Sequence, residues 1–86
     1  MASIEEVRAG IDLAKGKAEE SLGALQQAQS ALEEAQAQMQ QVTEGSGQAD
    51  VSEANSALAQ AVSSIGDVVQ NVQAAVQAAE SVAARL

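Results

Sequence analysis

The sequence predicts an all-α protein: two long helices, about 3–43 and 50–85, folded into an antiparallel coiled-coil-like hairpin. Three observations carry this. The 86 residues contain no Pro and are rich in Ala, Gln and Glu, a composition that favours helix. Apolar residues recur at alternating spacings of three and four in two separate stretches. Between those stretches stands Gly45-Ser46-Gly47, which reads as a turn. At this length the chain makes one domain, 1–86, close to the lower size limit for a self-sufficient core.

The first helix has a readable start. Ser3 is placed to accept from the first free N–H groups, and Glu6 stands three residues on as the partner of a capping box. From there Ile4, Val7, Ile11, Ala14, Ala18, Ser21, Leu25, Ala28, Leu32, Ala35, Met39 and Val42 follow an unbroken three–four spacing. With Ile4 as heptad position a, the a set is Ile4, Ile11, Ala18, Leu25, Leu32 and Met39. The d set is then Val7, Ala14, Ser21, Ala28, Ala35 and Val42. Ser21 is the one member that is not apolar; it is expected to bond a carbonyl of the preceding turn or to avoid overpacking, and the alternative is a buried polar group that sets register or oligomeric state. Gly10, Gly16 and Gly23 lie outside this seam and weaken the N-terminal half by about 1 kcal/mol each relative to Ala. Gly45 suits the left-handed position that closes a helix.

The second helix repeats the pattern. Asp50 is expected as its N-cap, with Glu53 three residues on. Val51, Ala54, Leu58, Ala61, Ile65, Val68, Val72, Ala75, Ala79, Val82 and Leu86 again step by three and four. A second line, Val62, Val69, Val76 and Ala83, runs beside it at e positions, so this helix is apolar over a wider face than one neighbour requires. A connection of about six residues makes the helices antiparallel neighbours. A turn centred on Ser46–Gly47 pairs Met39 with Ala54, Leu32 with Ala61, Ala28 with Ile65 and Leu25 with Val68, large against small.

One Ala-rich seam between two helices is thin, and it points to a partner. Leu22, Val62, Val69 and Val76 form the expected partner interface, with Leu13 a further candidate across the hairpin. Two hairpins, or this hairpin and a different helical chain, are expected to pack there as a four-helix bundle. The partner is thus either a second copy, as a homodimer or higher oligomer, or another helical protein.

Charge and residue types narrow the chemistry. Twelve acids against four bases give a net charge of −8, which disfavours nucleic acid and anionic membrane surfaces. Glu5–Glu6, Glu19–Glu20 and Glu33–Glu34 are sequence neighbours that point about 100° apart on a helix, so they read as solvated faces and not as shared carboxylate sites. Arg8, Lys15 and Lys17 lie three or four residues from acids, as helix-surface ion pairs. The chain has no His and no Cys, so neither imidazole nor thiolate chemistry is available to it. No catalytic residue, metal ligand, cofactor or small-molecule substrate is expected. The opening Met1-Ala2-Ser3-Ile4-Glu5-Glu6 reads as no signal peptide, and no apolar run is long enough to span a bilayer. The expectation is a cytoplasmic protein, with signal-independent export as the one route out.

An acidic hairpin of this length, with Glu44-Gly45-Ser46-Gly47 at its midpoint, resembles the early-secreted-antigen-like, Trp-Xaa-Gly class of helical-hairpin proteins of type VII secretion. Glu44-Gly45-Ser46-Gly47 stands where the Trp-Xaa-Gly would sit, and Glu80–Leu86 carries no Tyr-x-x-x-Asp/Glu signal. The Ala- and Gln-rich texture also resembles short helical proteins of actinobacteria. The resemblance implies dimerisation, or pairing with a helical domain of a larger effector or toxin as a chaperone-like partner. The leading expectation is a non-enzymatic interaction protein. The alternatives are a self-assembling coiled-coil scaffold and a small acidic inhibitor or immunity protein.

Overall fold

A computed structural model describes residues 2–86; Met1, which the single-domain reading includes, lies outside the described residues. Two helices make up the structure, α1 at Ile4–Val42 and α2 at Ala49–Ala84. They pack on each other as an all-α hairpin 63 Å long. Both helices end within one residue of the boundaries expected from the sequence.

The caps explain those boundaries. Ser3 is extended (φ −72°, ψ 164°), and its hydroxyl accepts from the Glu6 N–H at 3.1 Å. At the other end Thr43 closes α1, its N–H and hydroxyl both donating to the Met39 carbonyl at 3.1 and 2.6 Å. Gly45 then takes φ +84°, a conformation that an L side chain adopts only with strain. Asp50 is not the N-cap of α2. That position falls to Gln48, which makes no side-chain cap bond, and Asp50 sits inside the first turn. There its carboxylate accepts from the Val51 N–H at 3.0 Å and faces the positive end of the helix, where a negative charge is favoured without being the cap.

The seam between the helices keeps the predicted period but not the predicted phase. On α1 the inward, half-buried residues include Ile11, Lys15, Ala18, Leu22, Leu25, Gln29, Leu32, Gln36, Met39 and Thr43. On α2 they include Val51, Asn55, Leu58, Val62, Ile65, Val72, Ala79 and Ala83, with Val69 and Val76 buried at 9% exposure each. Both a lines are retained except at the open end, where Ile4 and Leu86 are exposed at 61 and 38%. The d lines give way to the e lines, a rotation of each helix by about 50°.

Side-chain size favours the choice at three levels, against Ala14/Lys15, Ala28/Gln29 and Ala35/Gln36, which oppose it. An e-line seam buries Leu22 in place of Ser21, Val62 in place of Ala61 and Val76 in place of Ala75. Each added methylene is favoured by about 0.8 kcal/mol once removed from water. The cost is polar residues at seam levels, and the structure partners several of them. Lys15 reaches Glu80 across the helices at 3.2 Å, and Asn55 Nδ2 donates to Thr43 Oγ1 at 3.3 Å.

The register moves as well. A turn centred on Ser46–Gly47 would set Lys15 opposite Ala78 and Gln29 opposite Ser64. Lys15 instead meets Glu80, and Gln29 Nε2 lies 3.6 Å from where a Cβ on Gly66 would stand. Part of this displacement comes from side-chain direction, because helical side chains lean toward their own N-terminus and so toward higher numbers on an antiparallel neighbour. The Leu25–Val68 pairing is overturned, since Val68 faces outward at 43% exposure.

Candidate partner-binding face

Leu22, Val62, Val69 and Val76, the residues predicted to receive another helix, lie on the inward face of the hairpin. Val69 and Val76 are its most buried side chains, and Leu22 and Val62 are half-buried beside them. These four hold α1 to α2, so a partner surface built on them is corrected by the structure. The reason is the phase of the seam: residues free in an a/d hairpin are consumed by an a/e hairpin. Leu13 is 74% exposed, but it projects from the outer edge of α1, away from the seam.

What the rotation buries on one line it releases on another. The d line of α1 carries Val7, Ala14, Ser21, Ala28, Ala35 and Val42, all exposed except the half-buried Ala35. On α2 the corresponding line carries Ala54, Ala61, Val68, Ala75 and Val82, the first two half-buried and the rest exposed. Each line lies about 80° to one side of its helix's inward direction. Antiparallel packing reverses the sense of rotation seen from a fixed viewpoint, so the two lines fall on the same broad side of the hairpin. That side bears no charged residue along either line. Ser21, its single polar member, turns its hydroxyl onto the Ala18 carbonyl at 2.7 Å.

The acids lie elsewhere. Glu5, Asp12, Glu19, Glu33 and Glu80 occupy the b lines, on the opposite broad side. Glu6, Glu20, Glu34, Glu53 and Asp67 occupy the c lines at the outer edges, while Glu44 belongs to the turn and Asp50 to the start of α2. The hairpin therefore has one acidic side and one acid-free, small-residue side whose d lines are uncharged, with Lys17 and Arg85 at its outer shoulders. Two of its four cations pair with acids, Lys15 with Glu19 and Glu80 and Lys17 with Glu20, and Arg8 donates to the Leu86 carbonyl. Lys15 is held above its usual value of 10.5, chiefly by its hydrogen bond to Glu80 and then by the attraction of the same carboxylate.

Near the turn an open hollow is lined by polar groups, among them Gln40, Thr43, Ser52 and Asn55. Asn55 Oδ1 is shielded there without a hydrogen-bond partner. The Thr43 hydroxyl cannot serve it, because that proton already goes to the Met39 carbonyl. Among the described residues no three acidic side chains gather as a metal would require, and no helix is long and apolar enough to cross a membrane.

The class of protein defined by this fold is the all-α helical hairpin. Compared with protein-family models, with curated proteins and with solved structures, the chain finds no match.

The uncharged face was missed by sequence reasoning although its residues were all visible there. The three–four spacing assigns them to the interior, because a d line and an e line flank an a line at the same spacings. On α2 the signal that separates them is side-chain size, with three valines on the e line against two on the d line; on α1 no such sum decides, because its e line carries Lys15, Gln29 and Gln36.

Proposed function

We propose that this chain is a non-enzymatic helical-hairpin interaction protein that acts as an adaptor or chaperone-like partner of other helices. The observation that carries the reading is the division of the surface, with an uncharged apolar side set against an acidic one. Charge depletion at the centre and a polar surround are the compositional marks of protein–protein interfaces. A net charge of −8 supports a protein partner over nucleic acid. Service to a type VII-like secretion system or a toxin, with the partner met in the cytoplasm before any signal-independent export, rests on the family resemblance alone.

The test is a mixing experiment with purified helical proteins encoded beside this chain. We expect a heteromeric complex that persists in ~1 M salt, where the screening length is about 3 Å and only apolar burial is left to hold it. Failure to pair with any helical protein would sink the reading. A second reading, a small acidic inhibitor, is favoured by the Glu5, Asp12, Glu19, Glu33 and Glu80 side. It predicts the opposite salt response, with binding to a basic target lost at high salt.

A further inference from the structure

We infer that the uncharged side of the hairpin is covered by a second copy of this chain, packed face to face as a four-helix homodimer. This rests on the interaction reading: the second copy occupies the face until a heteromeric helical partner exchanges for it.

The area argument comes first. A compact protein of 8.7 kDa exposes about 4,700 Å², whereas this chain exposes 6131 Å². The excess, about 1,400 Å², is surface that a monomer of ordinary shape would have buried. A side 63 × 18 Å across offers a footprint of about 1,100 Å² per copy, or roughly 2,200 Å² for a pair. That falls in the range of obligate homodimers and not of crystal-like or transient contacts.

Charge then selects the occupant. Two copies carrying −8 each repel one another over most of their surfaces. The uncharged side is where they can meet with every b-line acid turned outward. Val7, Val42, Val68 and Val82, exposed at 37, 78, 43 and 39%, stand among alanines that let helices approach closely. In a two-fold pair the same patch meets itself, so it must be self-complementary, and a patch free of charge has no like-charge contact to avoid.

The a lines support this geometry. A helix in a four-helix bundle presents a stripe wider than the two-line seam of a hairpin. Both helices have such a stripe, with a and e lines spent inside the chain and d lines left over on one side.

The experiment has two parts. Sedimentation equilibrium across ~1–100 μM, read by interference because the chain lacks Trp and Tyr, should give twice the mass of the chain. Ala28→Glu and Val68→Glu each enter a two-fold interface twice, and should weaken dimerisation by ~100-fold or more while the helical circular dichroism is kept. A benzophenone side chain placed at position 68 of the full chain in its native host then reports the occupant, with position 73 on the acidic side as control. A cross-link to a second copy supports the inference. A cross-link only to a different protein overturns the homodimer and leaves the interaction reading standing. A monomer at 100 μM with no cross-link at position 68 overturns both.

Discussion

Val68 and Val69 are adjacent in α2 and have opposite environments: Val69 is 9% exposed against α1, and Val68 is 43% exposed on the uncharged side. One peptide bond separates the residue that holds the hairpin together from one that is free to bind something else. Charge substitution distinguishes them. Val69→Glu places a carboxylate in the seam, a change on the order of 3 kcal/mol, and should abolish most of the helical signal at 25 °C. Val68→Glu should keep that signal. If Val69→Glu stayed fully helical and cooperative, the assignment of the e line to the interior would be wrong.

The phase of the seam was the part of the fold that sequence could not decide. Helix number, the turn, the Ser3 cap and the three–four period were all legible, because each depends on local chemistry or spacing. Phase depends on which of two lines buries more: Ser21/Leu22, Ala61/Val62 and Ala75/Val76 favour the e line, whereas Ala14/Lys15, Ala28/Gln29 and Ala35/Gln36 favour the d line. Counting apolar residues scores Ala75 and Val76 alike, and weighing their size does not. The partner face depends on the same choice, since Leu22, Val62, Val69 and Val76 are spare only in a seam built on the d lines. Asp50 was misplaced for a different reason: capping and charge at a helix start favour the same residue types one or two positions apart.

The glycines of α1 offer stabilisation without a packing penalty. A Cβ at Gly16 or Gly23 would meet nothing within 4 Å, and both residues are helical. Gly16→Ala and Gly23→Ala should each raise stability by about 0.5–1 kcal/mol through helix propensity, measurable by urea titration. Gly45 behaves oppositely. At φ +84°, Gly45→Ala should cost about 1–2 kcal/mol, even though space around it is open.

The Lys15–Glu80 pair gives the hairpin an alkaline limit. Because Lys15 is held above 10.5, the folded state binds its proton more tightly than the unfolded chain does. The contribution is complete below pH 10.5 and is lost as pH rises through the folded-state value. Lys15→Gln should therefore lower the melting temperature at pH 7, with the difference from wild type closing above pH 10.5. Both side chains are partly exposed, at 34% and 51%, so ~1 M salt should shrink the difference at pH 7 as well.

Asn55 occupies a level at which α2 elsewhere places Val62, Val69 and Val76, and its Oδ1 has no partner. Asn55→Val removes the unsatisfied acceptor and extends the apolar line. It should raise stability by about 1 kcal/mol in thermal melts. A polar residue at a seam level also fixes alignment between helices. The same variant should therefore broaden the distance between spin labels placed on α1 and α2, and an unchanged distribution would mean that Asn55 has no aligning role.

The single turn also determines how the hairpin opens. Every contact between helices joins residues at similar distances from Thr43–Gln48, so pairing can begin beside the turn and close outward, each step enclosing only a slightly longer loop. Gly10, Gly16 and Gly23 all belong to the far half of α1, and residues 2–10 are exposed throughout. The end of the rod away from the turn closes last and opens first. Amide hydrogen exchange should accordingly form a gradient along α1, slow near Leu32 and fast near Val7. It should steepen in mild urea, so that the molecule peels open from its loose end like a clasp hinged at the turn.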